Sequence, residues 1–472
     1  MFDPVIAPSG TLLGLLQRGR GDGTLHALTA PRAEALAALN HCVLRDPRHD
    51  WQVENRSLYY ARLYLDLNGE LDEIEAHLFE VDDVFDTEES RTGLALAVLG
   101  HLASYGRRDA LGLLRRYAAS GSNWAWALDE LALRDDDAGL RSLAAPVLAR
   151  FGTDPEGEAE LATAVRDAFE PRPWRLWADD PRESVSTRVR AAQESGCFDL
   201  WQRQMRPAGP RPGWSVQAVF EWAQQGVERG AVLYVPAARC LTAVAGPEDR
   251  PEILAAAKDG TEGARCTALR YLADGNDPEA FDLIEAAVVT GSPAVVEAAL
   301  DSFERMRSIA AVDRARGWAR RPDPLGAAAG RMLACLGGVQ DRDLVLAALR
   351  EAVRGEGPDA HTLWTLVDGT GRLGIACAAP VLRHIYRETA SSHLRGRAAH
   401  ALAATDPSFP SGFAVECLWD CEEATREIAA RHAETGDARV VERLRRLAAD
   451  PAEEGEVQTV VRGRIGPDTA AM

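Results

Sequence analysis

Apolar residues recur along this chain at intervals of three and four positions, the spacing that places them on one face of an α-helix. Such stripes occupy residues 88–104 and 341–353 and include Leu94, Val98, Leu99, Leu102, Leu344, Val345, Ala348 and Leu349. Runs that alternate apolar and polar residues, as sheet strands do, are too short to build a sheet. The pattern therefore predicts an all-α protein.

Short polar breaks separate the predicted helices and contain glycine, proline, serine or aspartate, residues that favour turns. They include Gly106, Asp154-Pro155, Gly291-Ser292 and Gly436-Asp437. Around several breaks the same order recurs: an apolar helix, a turn with glycine or aspartate, and a second apolar helix. It is clearest at residues 99–114, 269–284 and 430–444. Repeated helical hairpins bury their apolar faces by stacking on their neighbours, so a repeat array is expected.

One segment carries this pattern most fully. It contains arginines near its start, small residues on one face and a closing Asp-Pro, namely Arg395, Arg397, Ala398, Ala399, Ala401, Asp406 and Pro407. The segment resembles the second helix of a HEAT repeat, and the resemblance covers about residues 31–170 and 214–466. It implies a curved α-solenoid of stacked helical hairpins in two halves, an architecture that by itself names no activity.

Proline density marks a boundary between the two predicted halves. Prolines cluster with tryptophan and arginine at residues 171–181 and 207–214, where they stop helices, and they bracket one predicted helix at 182–205. The expected domains are an acidic N-terminal HEAT-like half, an irregular Pro/Trp/Arg-rich connection and a C-terminal HEAT-like half, at residues 1–170, 171–213 and 214–472.

Composition and charge exclude several function classes. The 472 residues carry a net charge of −19, which disfavours a protein that coats nucleic acid. The chain start lacks the basic residues of a signal peptide, and apolar runs stay well below the ~18 residues of a membrane span. We therefore expect a cytoplasmic protein. Lys258 is the single lysine among 53 basic residues, and a GC-rich genome explains that bias towards arginine. The eight scattered cysteines are expected to be reduced and buried.

The most acidic stretch of the chain lies at residues 70–89, where ten acidic residues occur without an arginine or lysine. Its apolar residues keep helical spacing, which indicates a folded segment. The carboxylates form either a solvated face or a docking surface for a basic protein. The candidate partner-binding acids are Glu80, Asp82, Asp83 and Asp86.

Two arginine-rich segments are further candidates for partner contact. Trp174 and Trp177 lie among arginines in the predicted connection, where indole rings either pack the junction or anchor a protein interface. Arg316, Arg320 and Arg321 belong to the strongest basic run, which forms a solvated helix face or holds an acidic group.

A short aromatic and acidic cluster at residues 122–130 contains Trp124, Trp126, Asp129 and Glu130. It is similar to a stretch of the HEAT-like alkylpurine DNA glycosylases, in which a tryptophan and an aspartate one turn later serve the damaged nucleotide. The residue one turn after Trp124 is Leu128, and the residue one turn after Trp126 is Glu130. The register of the resemblance therefore differs from that of the family.

Cys417 and Cys421 are spaced to share a helix face, as two ligands of a zinc site can be. Because no CxxC pair accompanies them, packing thiols are the favoured interpretation, and no cofactor is expected. The sequence as a whole favours a non-catalytic scaffold or adaptor that binds a protein partner through its solenoid surface. An alkylpurine DNA glycosylase is the alternative.

Overall fold

A computed structural model describes residues 5–48, 54–80, 89–204 and 213–465 of the chain. Within these ranges the secondary structure consists of helices, turns and loops and contains no strand, which confirms the predicted all-α class. The helices predicted from the apolar stripes are also present. They appear as α6 (Glu89–Ser104) and α21 (Arg342–Glu356).

The chain divides into two compact units. Unit 1 consists of Met1–Arg206, Tyr386–Ala399 and Pro407–Met472, and unit 2 consists of Pro207–Ile385 and His400–Asp406. Unit 1 is therefore discontinuous in sequence. Two helices, α23 (Ala379–Glu388) and α24 (Ser392–Thr405), contribute residues to both units.

The remaining helices belong to one unit each. Those of unit 1 besides α6 are α1 (Leu12–Gln17), α2 (Gly21–Thr29), α3 (Arg32–Leu44), α4 (Ser57–Asp66), α5 (Asp72–Leu78), α7 (Arg108–Ser120), α8 (Trp124–Arg134), α9 (Asp137–Leu148), α10 (Pro155–Asp167), α11 (Arg172–Ala178), α12 (Glu183–Gln204), α25 (Phe413–Cys417), α26 (Glu423–His432), α27 (Ala438–Ala449) and α28 (Gly455–Ile465). Those of unit 2 besides α21 are α13 (Val216–Glu228), α14 (Tyr234–Val244), α15 (Arg250–Asp259), α16 (Glu262–Asp274), α17 (Ala280–Thr290), α18 (Pro293–Arg305), α19 (Ile309–Trp318), α20 (Pro324–Leu336) and α22 (Leu363–Arg372). Short 3₁₀ helices precede α15, α21 and α23, at Pro247–Asp249, Val339–Asp341 and Ala376–Ala378.

Several helices begin with an aspartate followed three residues later by a glycine. The Asp154 carboxylate accepts the backbone N–H of Gly157 at 2.9 Å, and Asp323 accepts that of Gly326 at 3.2 Å. A proline occupies the first helical position after each aspartate, where its missing N–H costs nothing. The aspartate satisfies a backbone donor that the helix itself leaves open. The predicted break at Asp154-Pro155 is thus the start of α10.

Arginines connect helices that lie two or three helices apart along the chain. The guanidinium groups donate to carbonyl oxygens at or near the C-terminal end of an earlier helix, where the regular i to i+4 hydrogen bonds run out. Examples are Arg172 to Ala132 at 2.6 Å, Arg188 to Leu148 at 2.9 Å and Arg372 to Ala334 at 2.9 Å. The separations are 40, 40 and 38 residues, respectively. Many arginines therefore have a structural role within each unit, in addition to the preference for arginine over lysine that a GC-rich genome explains.

A buried arginine joins distant parts of unit 1. Arg395, in α24, has no exposed surface and binds the Asp420 carboxylate through two hydrogen bonds of 2.8 and 3.0 Å. Its guanidinium also lies 3.5 Å from the carbonyl oxygen of Gly19, which accepts the backbone N–H of Cys421 at 2.9 Å. The turn after α1 is thus held against the segment between α25 and α26.

Further ion pairs at the same interface are buried. Arg56 donates to the Glu54 carboxylate at 2.5 Å and to the carbonyl of Ala390 at 2.7 Å. Glu453 is bound by Arg426 at 2.6 Å and by Arg62 at 3.0 Å. Removing one member of a buried pair leaves a charge without compensation, which typically costs about 3–5 kcal/mol. The Arg62–Glu453 pair and the hydrogen bond from Arg56 to Ala390 therefore bind residues near the start of unit 1 to residues near its end.

Glycine permits the closest backbone approach at this interface. A Cβ atom at Gly21, the first residue of α2, would overlap the Glu416 carbonyl oxygen and lie 2.7 Å from the Glu416 carbonyl carbon. Both atoms belong to the backbone of α25, so a side-chain rotation cannot relieve the overlap.

We expect Gly21→Ala to destabilise unit 1 by about 2 kcal/mol, since overpacking of a tight site costs about 1–3 kcal/mol. Gly112→Ala is the matched control, because a Cβ atom at Gly112, inside α7, meets no heavy atom within 4 Å. The control should stabilise by about 0.5–1 kcal/mol, the usual gain of alanine over glycine in a helix. Hydrogen exchange of peptides from α2, α7 and α25 measures both effects. Equal exchange in wild type and Gly21→Ala would contradict the tight packing of α2 on α25.

Candidate functional site

A pocket of about 610 Å³ opens beside α8 in unit 1. We call it the tryptophan pocket, because its walls include Trp124 and Trp126 of α8 and Trp174 of α11. The opposite wall comes from the end of α10 and from the segment between α10 and α11. Ligand pockets commonly have volumes of about 300–1,000 Å³, and this one lies within that range.

Helix α8 reaches its position because α6 carries glycines where the two helices touch. A Cβ atom at Gly93 would lie 2.9 Å from the Trp126 ring, and one at Gly100 would overlap the Glu130 carboxylate. Trp126 and Glu130 are one turn apart on α8, so they share the face that meets α6. The glycines leave room for a large ring and a carboxylate at the base of the pocket.

The aromatic wall is built from edge-to-face contacts. The Trp124 ring centroid lies 5.8 Å from that of Phe151 and 6.4 Å from that of Trp174. Trp174 packs in turn on Trp177 at 4.9 Å. The guanidinium of Arg150 lies 5.6 Å from the Trp124 ring centroid, within the range of a cation–π interaction. These contacts fix the ring orientations before any ligand arrives.

Two apolar side chains at the pocket are exposed to solvent. Phe169 is 83% exposed and Leu133 is 60% exposed. Phe169 follows the C-cap of α10, and Pro171 and Pro173 lie two and four residues later, so α10 cannot continue through this segment. An exposed aromatic ring beside a concave apolar wall is typical of a binding surface.

Asp129 lies in the pocket and is half-buried. Its carboxylate accepts the backbone N–H of Glu170 at 3.0 Å, which ties α8 to the segment before α11. Burial raises the pKa of Asp129 to about 6, and the nearby Glu170 carboxylate acts in the same direction, against the effect of this hydrogen bond. Asp129 therefore carries a negative charge at neutral pH in surroundings that disfavour it.

Glu130 lies next to Asp129 and ion-pairs with Arg134, one turn later, at 2.6 Å. Burial raises the pKa of Glu130 to about 7, although Arg134 and a hydrogen bond from Trp126 oppose that rise. Together the two acids give the pocket a negative charge that increases between pH 5 and pH 8.

Residues from two separate sequence clusters come together here. Trp174 was predicted as part of the arginine-rich connection, whereas Trp124 and Trp126 belonged to a different cluster. Trp174 and Trp177 are both buried in unit 1, and the Trp177 indole donates to the Leu140 carbonyl at 2.8 Å. Residues 171–213 contain α11 and α12, and α12 (Glu183–Gln204) matches the helix predicted there.

The acidic stretch is only partly described by the structure. Its first part forms α5, and the Glu75 carboxylate pairs with Arg116 at 2.6 Å. The exposed Glu80 lies 3.5 Å from Arg91. The other candidate acids lie outside the described residues, namely Asp82, Asp83 and Asp86.

The predicted basic run in unit 2 consists largely of ion-paired residues. Arg316 binds Asp341 at 2.9 Å and Asp313 at 2.6 Å. Arg321 binds Asp323 at 2.8 Å and also Glu285. The side chain of Arg320 is exposed.

The candidate metal ligands are buried. Cys417 lies 3.1 Å from the Tyr386 hydroxyl, and Cys421 lies 3.3 Å from the Arg395 guanidinium. Burial raises the pKa of Cys421 to about 12. Among the described residues, no group of three or more His, Cys, Asp or Glu side chains is arranged to hold a metal ion. The expectation that all cysteines are buried is wrong for Cys335 and Cys377, which are exposed.

Comparison of the chain with protein-family models, curated proteins and solved structures finds no match. None of the described helices is both long enough and apolar enough to cross a membrane. The site must therefore be interpreted from its own chemistry.

Sequence reasoning missed Leu133 on α8 and the wall that faces α8. Leu133, Asp167, Phe169 and Glu170 line the same pocket but lie in unremarkable sequence. The sequence contains one signal: Phe169 is a large apolar residue just before the proline-rich segment that begins at Pro171, where a core contact is not required.

We expect Asp129→Asn to stabilise the protein at pH 8 relative to wild type, but not at pH 4. The asparagine keeps an acceptor for the Glu170 N–H while removing the charge. The folded-state pKa of Asp129 is raised to about 6, above the ordinary value of about 3.9. Ionisation of Asp129 therefore lowers the free energy of unfolding of the wild type as pH rises from about 4 to above 6.

Thermal unfolding of both proteins between pH 4 and pH 8 measures this difference. Asp179→Asn serves as control, because the Asp179 side chain is 81% exposed. A stability difference for Asp129→Asn that stays constant across this range would contradict the buried charge.

Proposed function

We propose that this chain is a non-catalytic HEAT-like scaffold or adaptor of the cytoplasm that binds a protein partner. The recurring arginine contacts at separations of 38 to 40 residues support a HEAT-like repeat. So does α24, which coincides with the segment that resembles a HEAT helix. A stacked array of such hairpins offers an extended surface for macromolecules.

The tryptophan pocket is the observation that carries this proposal. Its rigid indole wall is continuous with Phe169 and Leu133, which expose apolar surface to solvent. Buried aromatic anchors beside a concave apolar surface are the usual centre of a protein interface. We therefore assign the partner contact to this pocket, with the surface acids contributing long-range attraction to a basic partner.

Replacing Phe169 with alanine should lower the amount of captured partner at least about tenfold, since loss of an interface aromatic commonly costs about 2 kcal/mol. Tagged full-length protein is used to capture partners from its host lysate at low and high salt, and the stoichiometric protein is quantified by mass spectrometry.

Ile309→Ala is the matched control, because Ile309 is 82% exposed and lies in unit 2. It should leave capture unchanged. If Phe169→Ala retains the partner as well as wild type does, the pocket is not the contact surface. Circular dichroism confirms that both variants fold.

A second candidate function is the excision of alkylated purines from DNA. The convergence of Trp124, Trp126, Asp129 and Glu130 in one pocket favours it, since a flipped base needs aromatic walls and a carboxylate. The negative charge of the same pocket opposes it, because DNA approaches through its phosphates.

Under the adaptor proposal we expect no release of alkylated purine above the spontaneous rate. Duplex DNA carrying the lesion is incubated with the full chain, and free base is measured by liquid chromatography. Release by wild type that is abolished in both Asp129→Asn and Glu130→Gln would replace the adaptor proposal with the enzymatic one.

A further inference from the structure

The tryptophan pocket has a charge that an apolar ligand would not match. Four of its lining residues are acidic, namely Asp129, Glu130, Asp167 and Glu170. Among the described residues that line the pocket, no arginine or lysine is present. A neutral ligand that enters removes water from these carboxylates without compensating their charge, which is unfavourable. A ligand with positive charge provides that compensation.

Two of these acids already have a cationic partner. Glu130 pairs with Arg134 at 2.6 Å, and Asp167 pairs with Arg166 at 2.8 Å. Asp129 differs, because its carboxylate accepts a hydrogen bond from a neutral group, the backbone N–H of Glu170, at 3.0 Å. Burial acts against its ionised form, so a cation beside Asp129 gains more than it would beside an acid already paired.

The aromatic wall selects the kind of cation. Indole faces attract cations, and a guanidinium also stacks flat on them while it binds a carboxylate through two parallel hydrogen bonds. The Trp124 ring already receives one guanidinium, that of Arg150, at 5.6 Å. An ammonium group, with its stronger hydration, satisfies this combination less well than a guanidinium does.

The exposed apolar residues indicate what lies next to the cation. Leu133 and Phe169 stand beside the acids and offer apolar contact to the residues that flank the incoming side chain. We propose that the tryptophan pocket binds an arginine side chain carried on an apolar segment of the partner protein. This inference rests on the proposed function and names the chemistry that the partner presents.

The test uses three blocked pentapeptides, Gly-Leu-X-Leu-Gly, in which X is arginine, lysine or citrulline. Citrulline keeps the shape of arginine but is neutral. The full-length chain is labelled with 5-fluorotryptophan, and fluorine NMR follows its 11 tryptophans. Single Trp→Phe variants assign the signals of Trp124, Trp126 and Trp174.

The arginine peptide should shift the pocket signals saturably and bind about tenfold more tightly than the citrulline peptide, with lysine between them. Asp129→Asn should remove most of the advantage of arginine over citrulline. The matched control Asp179→Asn, at an exposed position outside the pocket, should keep it. Unchanged tryptophan signals of the free variants establish that they fold.

Equal binding of the arginine and citrulline peptides would overturn the inference, while the capture experiment with Phe169→Ala could still support the pocket as an apolar docking site. The absence of any shift at the pocket tryptophans would overturn it too. Failure of the proposed function has a different signature, namely partner capture that does not depend on Phe169.

Discussion

The pairing of buried arginines with carboxylates holds unit 1 together. Arg395 has no exposed surface, and its charge is compensated by Asp420, while the carbonyl of Gly19 lies within reach of the same guanidinium. An arginine in this position is stable only when all of its partners are in place, because an unpaired buried charge is very costly. Each contact of the interface therefore depends on the others, and together they link segments nearly 400 residues apart in the sequence.

Local sequence patterns predicted the helices well, for physical reasons. The spacing of Leu94, Val98 and Leu99 depends only on the helical period, and the break at Asp154-Pro155 acts locally, through the side chain of Asp154 on the N–H of Gly157. The helix containing Arg395 was predicted correctly as well. The pairing of Arg395 with Asp420 was not predicted, because a charge pair between two different segments leaves no periodic signal along the chain.

The candidate site was predictable in part. Trp124, Trp126, Asp129 and Glu130 are recognisable from their clustering on one short segment. That Trp174 completes the same wall depends on how α11 packs beside α8, which no local pattern encodes. The charge at Asp129 could not be foreseen either, since it results from burial and from the carboxylate of Glu170. The choice of Glu80 and its neighbours as contact residues stays a prediction.

The same pocket explains why a binding function and an enzymatic function are difficult to separate by shape. Aromatic walls and a carboxylate suit a planar cation whether it is a protein side chain or a damaged base. Net charge separates them, because a side chain arrives on a polypeptide of any charge, whereas a base arrives on a polyanion.

The discontinuity of unit 1 has a consequence for synthesis on the ribosome. Residues Pro207–Ile385 of unit 2 emerge before Tyr386–Ala399 and Pro407–Met472, which unit 1 requires. The early helices must therefore wait with part of their core uncovered while the inserted residues are made, at about 5–20 residues per second. For that period, of the order of ten seconds or more, the nascent chain exposes apolar surface that chaperones recognise.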